Sequence, residues 1–144
     1  MSTETEVRAA SAQFYSALNR MANGDSGPMS VICSHGATIT TMHPIGGREV
    51  GWEQVQGPWD QVAQLAAEGT VDLRDQVLQV VGDVAWESGI EQGQFTLAGH
   101  PVPIEHRVTN LYQREANGWK LVHHHTDASP GMQEVLKQLQ AQQA

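Results

Sequence analysis

The stretch "VPIEHRVTNLYQREANGWKLVHHHTD", residues 102–127, decides how the rest of the chain is read. Asn117-Gly118 is a strong hairpin signal, because both residues tolerate the positive φ that a tight two-residue turn needs. On either side the chain is rich in β-branched and aromatic residues, which predicts paired strands over 102–115 and 118–127. Side chains alternate across a strand. His106, Val108, Asn110 and Tyr112 therefore share one face, and Arg107, Thr109 and Leu111 the other. In the second strand His123 and His125 share a face and His124 points away from them. Three of the chain's seven histidines stand side by side here, inside the chain rather than at an end as a purification tag would be.

The same period extends upstream. "TVDLRDQVLQVVG" (70–82) and "VAWESGIEQGQFTLAG" (84–99) read as two more strands, with Gly82-Asp83 and Ala98-Gly99 as turns. Earlier still the period becomes helical. Val7, Ala10, Phe14, Leu18 and Met21 step by three and four and form one apolar helix face, closed by "NGDSG" at 23–27. "PMSVIC" (28–33) is a short helical turn opened by proline. "ATITTMH" (37–43) is a strand that stops at Pro44 and the turn "IGG". Trp52, Val55, Trp59, Val62 and Ala66 mark a helix that Gly57-Pro58 kinks or divides. A last helix follows Ser129-Pro130-Gly131, carries Met132, Val135, Leu136 and Leu139, and frays through its polar end at 138–144. Helices first and meandering strands afterwards predict an α+β fold, helices packed on one face of a strongly curved antiparallel sheet. Such a sheet makes a cone whose mouth can hold a ligand.

Composition limits what that ligand is. The chain has 144 residues, 40% hydrophobic and 17% charged, as expected for a single globular domain over 1–144. With eight Lys and Arg and a net charge of −8, nucleic acid and anionic membranes are not expected partners. Cys33 is the only cysteine, so it forms no intrachain disulfide, and it reads as a buried structural thiol. "MSTETEVRAA" lacks the features of a signal peptide and no apolar run is long enough to span a bilayer, which points to the cytoplasm. No glycine-rich nucleotide loop or Gly-x-Ser-x-Gly elbow is present.

The order of elements resembles the nuclear transport factor 2-like superfamily, which includes ketosteroid isomerases and SnoaL-like polyketide cyclases. "FYSALNRMANGD" resembles its first helix, "ATITTMHPIGG" its first strand, and "GWKLVHHHTD" its last strand. The resemblance implies the cone-shaped fold and carries three positions over. Tyr15 matches the isomerase tyrosine that donates to the substrate oxyanion. Asn110 falls near its oxyanion acid, and His43 stands where the proton-moving aspartate precedes proline. A histidine with an ordinary pKa of ~6.5 can act as a base near neutrality, and an asparagine donates through its amide. Against this, Tyr15 also reads as a half-packed core residue and His43 as a turn cap.

The alternating pattern adds His106 and Tyr112 to the Asn110 face. His123 and His125 read as substrate-binding wall or else as exposed or subunit-contact residues. Trp52, Trp59 and Trp86 read as core or pocket-wall aromatics, with Trp52 and Trp86 carried as substrate-binding candidates. His123 and His125 would need a third ligand, such as His43, His106 or Glu105, to hold a metal. No His-Glu-x-x-His helix or cysteine pair supports that, so neither metal nor cofactor is expected. The expected function is cofactor-independent acid–base chemistry, isomerase or cyclase, on a small apolar or aromatic carbonyl compound. One alternative is a ligand-binding or accessory module without chemistry of its own, and a third reading is a hydratase, lyase or oxygenase acting through a histidine-lined pocket. The resemblance also implies a homodimer, paired through the sheet face that carries Thr109 and Leu111.

Overall fold

Ser2 opens the first helix by accepting a hydrogen bond from the Thr5 amide at 3.2 Å. Glu4 and Glu6 in its first turn and Arg20 in its last complement the helix dipole. This helix, α1 (Thr3–Met21), is followed by α2 (Gly27–Ile32), β1 (Thr40–His43), β2 (Gly46–Val50) and α3 (Trp52–Leu65). Four long strands come next: β3 (Ala66–Val81), β4 (Val84–Leu97), β5 (His100–Glu115) and β6 (Gly118–Thr126), before the closing helix α4 (Pro130–Gln143). The computed structural model describes residues 2–143. Met1 and Ala144, the ends of the expected domain and the tip of the expected frayed end, lie outside the described residues.

The six strands form one sheet in the order β2-β1-β6-β5-β4-β3. All neighbours are antiparallel except β1 and β6, which run parallel, so the sheet is not purely antiparallel as expected. The β2 strand went unread because "GGREV" offers two glycines and two charges where a strand signal needs alternating apolar residues. Pro58 lies inside a single helix, so the choice between a kinked helix and two short ones resolves to one element. Ala66, expected on that helix, instead begins β3.

Curvature has a local cause. Two register shifts interrupt β3 against β4, between Ala67 and Thr70 and between Arg74 and Val77, and such bulges bend and twist the strand that carries them. Facing them, β4 has glycines where the backbones come close. A Cβ on Gly93 would collide with the Thr70 carbonyl oxygen, and one on Gly89 would lie 2.7 Å from that of Arg74. The curved, unclosed sheet wraps the helices, and the core between them includes Phe14, Ile32, Ile39, Val55, Tyr112 and Leu121, all buried. Among the described residues no helix is long and apolar enough to cross a membrane.

Candidate functional site

Polar side chains cross the inner face of the sheet in two rows. In the first, Glu87 on β4 pairs with Asn110 on β5, Asn110 pairs with His124 on β6, and His124 with Thr41 on β1. In the second, four residues along β5, His106 pairs with Glu91 on β4. All six are buried. Buried polar groups are costly unless hydrogen-bonded, and here the bonds interlock.

Glu87 accepts from Ser11 Oγ at 2.7 Å, from Gln76 Nε2 at 2.7 Å and from the Tyr112 hydroxyl at 2.6 Å. It also accepts from Asn110 Nδ2 at 3.1 Å, and this contact fixes the amide. With Nδ2 turned to Glu87, Asn110 Oδ1 faces His124 Nδ1 at 2.6 Å and must be the acceptor. His124 therefore carries its proton on Nδ1, and its Nε2 keeps a lone pair. The other Nδ2 hydrogen of Asn110 goes to the Tyr15 hydroxyl at 3.0 Å, which itself donates to Glu91 Oε2 at 2.9 Å. Glu91 Oε1 meets His106 Nε2 at 2.7 Å, leaving Nδ1 of that ring uncommitted.

Burial dominates the electrostatics. It pushes the His43 imidazolium down to about 4. It holds His124 well below the ordinary histidine range, with the neighbouring imidazoles, His43 first, acting in the same direction. The Tyr15 phenol is driven far above its usual range by burial and then by Glu91, so Tyr15 remains a donor.

These groups border a cavity of about 60 Å³, room for a few waters or one small organic molecule at ~10–15 Å³ per water. His43, Glu91, His106 and His124 supply its polar wall. Leu18, Trp59, Val71, Phe95, Ile104 and Met132 are among its apolar lining. Among the described residues no group of three or more His, Cys, Asp or Glu is placed to hold a metal ion.

Of the residues the sequence nominated, His43 and His106 border this cavity. Tyr15 and Asn110 are joined to it through Glu91 and His124, Tyr112 only at one further remove through Glu87 and Asn110, and all three stand behind the wall. His123 and His125 are not brought to it. Opposite Leu111 and Tyr112, β6 contributes Leu121 and His123 with one extra residue between them. That bulge reverses the facing, so Leu121 points inward and so does His124. His123 instead bonds Thr40 Oγ1 at 2.6 Å on the outer side. Trp86 also lies outside, 40% exposed, because β4 turns Ala85, Glu87 and Glu91 inward. Trp52 stacks on His35 at 4.2 Å, away from the cavity. The pattern missed His124, Glu87 and Glu91. Two glutamates in step with buried Ala85 are a signal of an inward polar row, but Trp86 and Ile90 on the alternate positions make the opposite face look the more apolar.

A family model described as a SnoaL-like domain matches residues 7–130. The chain belongs to the SnoaL-like family. Solved structures agree on the fold of this SnoaL-like chain. A provisionally assigned dehydratase of the NTF2-like family from Streptomyces avermitilis is similar at TM-score 0.75 and 22% identity, over 88% of this chain and 95% of that one. An NTF2-like superfamily protein from Salmonella enterica gives TM-score 0.75 at 18% identity, over 90% and 94%. The CaMKII hub of S. rosetta gives 0.68 at 22%, over 87% and 95%. At these identities the likeness speaks for the fold alone. No curated protein matches the SnoaL-like chain.

Proposed function

We propose that the cavity is the active site of an acid–base enzyme acting on a small, uncharged carbonyl compound, with His106 moving the proton. The observation that carries this reading is the buried 2.7 Å contact between His106 Nε2 and Glu91 Oε1. Of the three cavity imidazoles, His106 is the one held by a carboxylate. A carboxylate in that position orients the ring, keeps the proton on Nε2 and stabilises the imidazolium formed when the other nitrogen takes a proton. His106 Nδ1 is then the base. His43, the base expected from its place before Pro44, is depressed to about 4 by burial. It stays neutral near pH 7 but has little proton affinity, and it serves better as a hydrogen-bond partner to substrate oxygen. Tyr15 and Asn110 act as positioning residues, Tyr15 on Glu91 and Asn110 on His124.

The step is removal of a proton beside the carbonyl, giving an enolate while His106 becomes an imidazolium. Returning that proton to another carbon isomerises the substrate, and attack of the enolate carbon on a second carbonyl closes a ring. Protonating and expelling a β-hydroxyl dehydrates it, the branch that the assignment of the Streptomyces relative favours. A positioned base of this kind is worth ~10²–10⁴ in rate.

Self-association belongs to the same reading. Val77, Val81, Val84 and Trp86 are exposed on the outer face of β3 and β4, and an apolar patch on a small protein marks an interaction surface. Hub domains among the structural relatives add to it. We assign this face, together with Thr109 and Leu111, to a homodimer contact.

The experiment is proton exchange. Cyclic enones, hydroxyaryl ketones and polyketide-like diketones are incubated with the protein in D2O, and loss of the α-proton signal is followed by NMR. The expected result is catalysed exchange or turnover that His106→Gln lowers by about 100-fold or more. Compounds that bind tightly yet neither exchange nor react would replace this reading with that of a ligand-binding module.

A further inference from the structure

Two buried side-chain nitrogens have no hydrogen-bond partner among the described residues: His43 Nε2 and Trp59 Nε1. Both residues line the cavity. Their rings meet edge to face, with centroids 4.5 Å apart and planes at 79°. Nearly all buried polar groups in folded proteins are paired, so an orphan needs a reason. Two orphans on adjacent rings of one cavity wall share one.

The other polar atoms of the wall narrow what that reason is. Both Glu91 oxygens are engaged, by His106 and Tyr15, and His124 Nδ1 is taken by Asn110. An indole N–H only donates, whereas an imidazole Nε2 donates or accepts. A single oxygen seated between the two rings would satisfy both. A hydroxyl accepts from Trp59 and donates to His43, and a carbonyl accepts from both when His43 is in its Nε2–H form. No Lys or Arg lines the cavity, while Glu91 does. An anion entering it would lose its hydration without gaining a counter-charge.

We infer that Trp59 and His43 form an oxygen-binding pair that selects small, uncharged, mostly hydrocarbon ligands bearing a hydroxyl or carbonyl group, and that anionic ligands are rejected. This rests on the cavity being a ligand site but not on its chemistry. It makes Trp59, which the sequence marks only as a core or pocket-wall aromatic, a specificity residue to which the proton-transfer pair does not point.

The test uses matched probes: cyclohexanol, cyclohexanone, methylcyclohexane and cyclohexanecarboxylate. Each is titrated into the intact protein while the Trp59 indole N–H is followed by ¹⁵N–¹H NMR and affinity by calorimetry. Cyclohexanol or cyclohexanone is expected to bind at least tenfold more tightly than methylcyclohexane and to move the Trp59 N–H signal, and the carboxylate not to bind. Trp59→Phe, which keeps an aromatic ring and removes the donor, is expected to abolish the preference while methylcyclohexane still binds. The inference is overturned if the oxygenated and hydrocarbon probes bind alike, if none of the probes binds, if the Trp59 signal stays still, or if the carboxylate binds best. Proton exchange with no Trp59 response would reject it and leave the acid–base reading standing. The selective response without exchange would do the reverse.

Discussion

The two faces of β4, β5 and β6 use similar residue types and put them to different ends. Inward, Glu87, Glu91, His106, Asn110 and His124 are buried and tied to one another and to α1. Outward, Trp86 is 40% exposed, and His123 and His125 lie beside each other with ring centroids 5.8 Å apart. Strand alternation divides the three consecutive histidines, and one bulge decides that His124 goes to the inside and its neighbours to the outside. Polarity did not choose the sides. The inner face tolerates carboxylates because each is hydrogen-bonded by two or more side chains, and the outer face carries exposed valines and a tryptophan. Chemistry is expected inside and association outside, and each prediction below tries to break that division.

The largest effect is expected at Glu87. Glu87→Leu would orphan donors from Ser11, Gln76, Asn110 and Tyr112, a loss of about 4 kcal/mol or a fall of roughly 10–15 °C in Tm. Ser88→Ala, one residue on and facing out, is expected to stay within about 0.5 kcal/mol. Calorimetry on the pair checks both, and equal effects would break the comparison.

The next effect depends on pH. His43 has a folded pKa of about 4 against 6.5 for the ordinary group. Between those values the unfolded chain binds the extra proton, so stability falls as pH drops from about 6.5 to 4 and is fully present above that window. The slope from His43 is about 1.4 kcal/mol per pH unit, about 3 kcal/mol in all, and His124 acts in the same direction. Urea melts of wild type and His43→Phe between pH 7 and 4.5 should differ by that slope. Parallel curves would place His43 in a wetter environment than the cavity wall.

Association comes third. The wild-type chain is expected to run at twice its 15.7 kDa mass, and Trp86→Asp to weaken the dimer by roughly 10–100-fold, the scale of a central aromatic contact. A monomeric wild type in light scattering at micromolar concentration would remove the outer-face role. Smallest is the response to chelator. Among the described residues, the outer His123–His125 pair belongs to no group of three or more His, Cys, Asp or Glu placed to hold a metal ion. EDTA is therefore expected to move Tm by less than about 1 °C, and one equivalent of zinc or nickel surviving dialysis would contradict this.

Much of the architecture was legible because it rests on period and turns. Asn117-Gly118 and the four long alternating segments gave β3 to β6, and the apolar steps of Val7 to Met21 gave α1. The His106–Tyr112 face was legible for the same reason. What strict alternation could not carry was the extra residue in β6, which is a property of pairing with β5 and leaves no mark on "LVHHH" itself. Nor could it tell which face of β4 is inner, since Trp86 and Ile90 make the outer parity look like core. Tyr15 and Asn110 were reached through resemblance, and they do meet, at 3.0 Å. Their partners Glu87 and Glu91 lie 76 residues from the Ser11 and Tyr15 side chains they bind, a juxtaposition that only the folded sheet creates.

The central claim is that His43, His106 and His124 share a ligand cavity while His123 and His125 stand outside it. Histidine-selective ¹⁵N NMR, recorded from pH 8 to 4 with and without cyclohexanone, tests it most directly. The account predicts that the ligand shifts the ring signals of His43, His106 and His124 and leaves the outer pair unmoved. It also predicts that His43 remains neutral down to about pH 5, given its pKa of about 4. Ligand shifts confined to His123 and His125, or a His43 that titrates near 6.5, would contradict it.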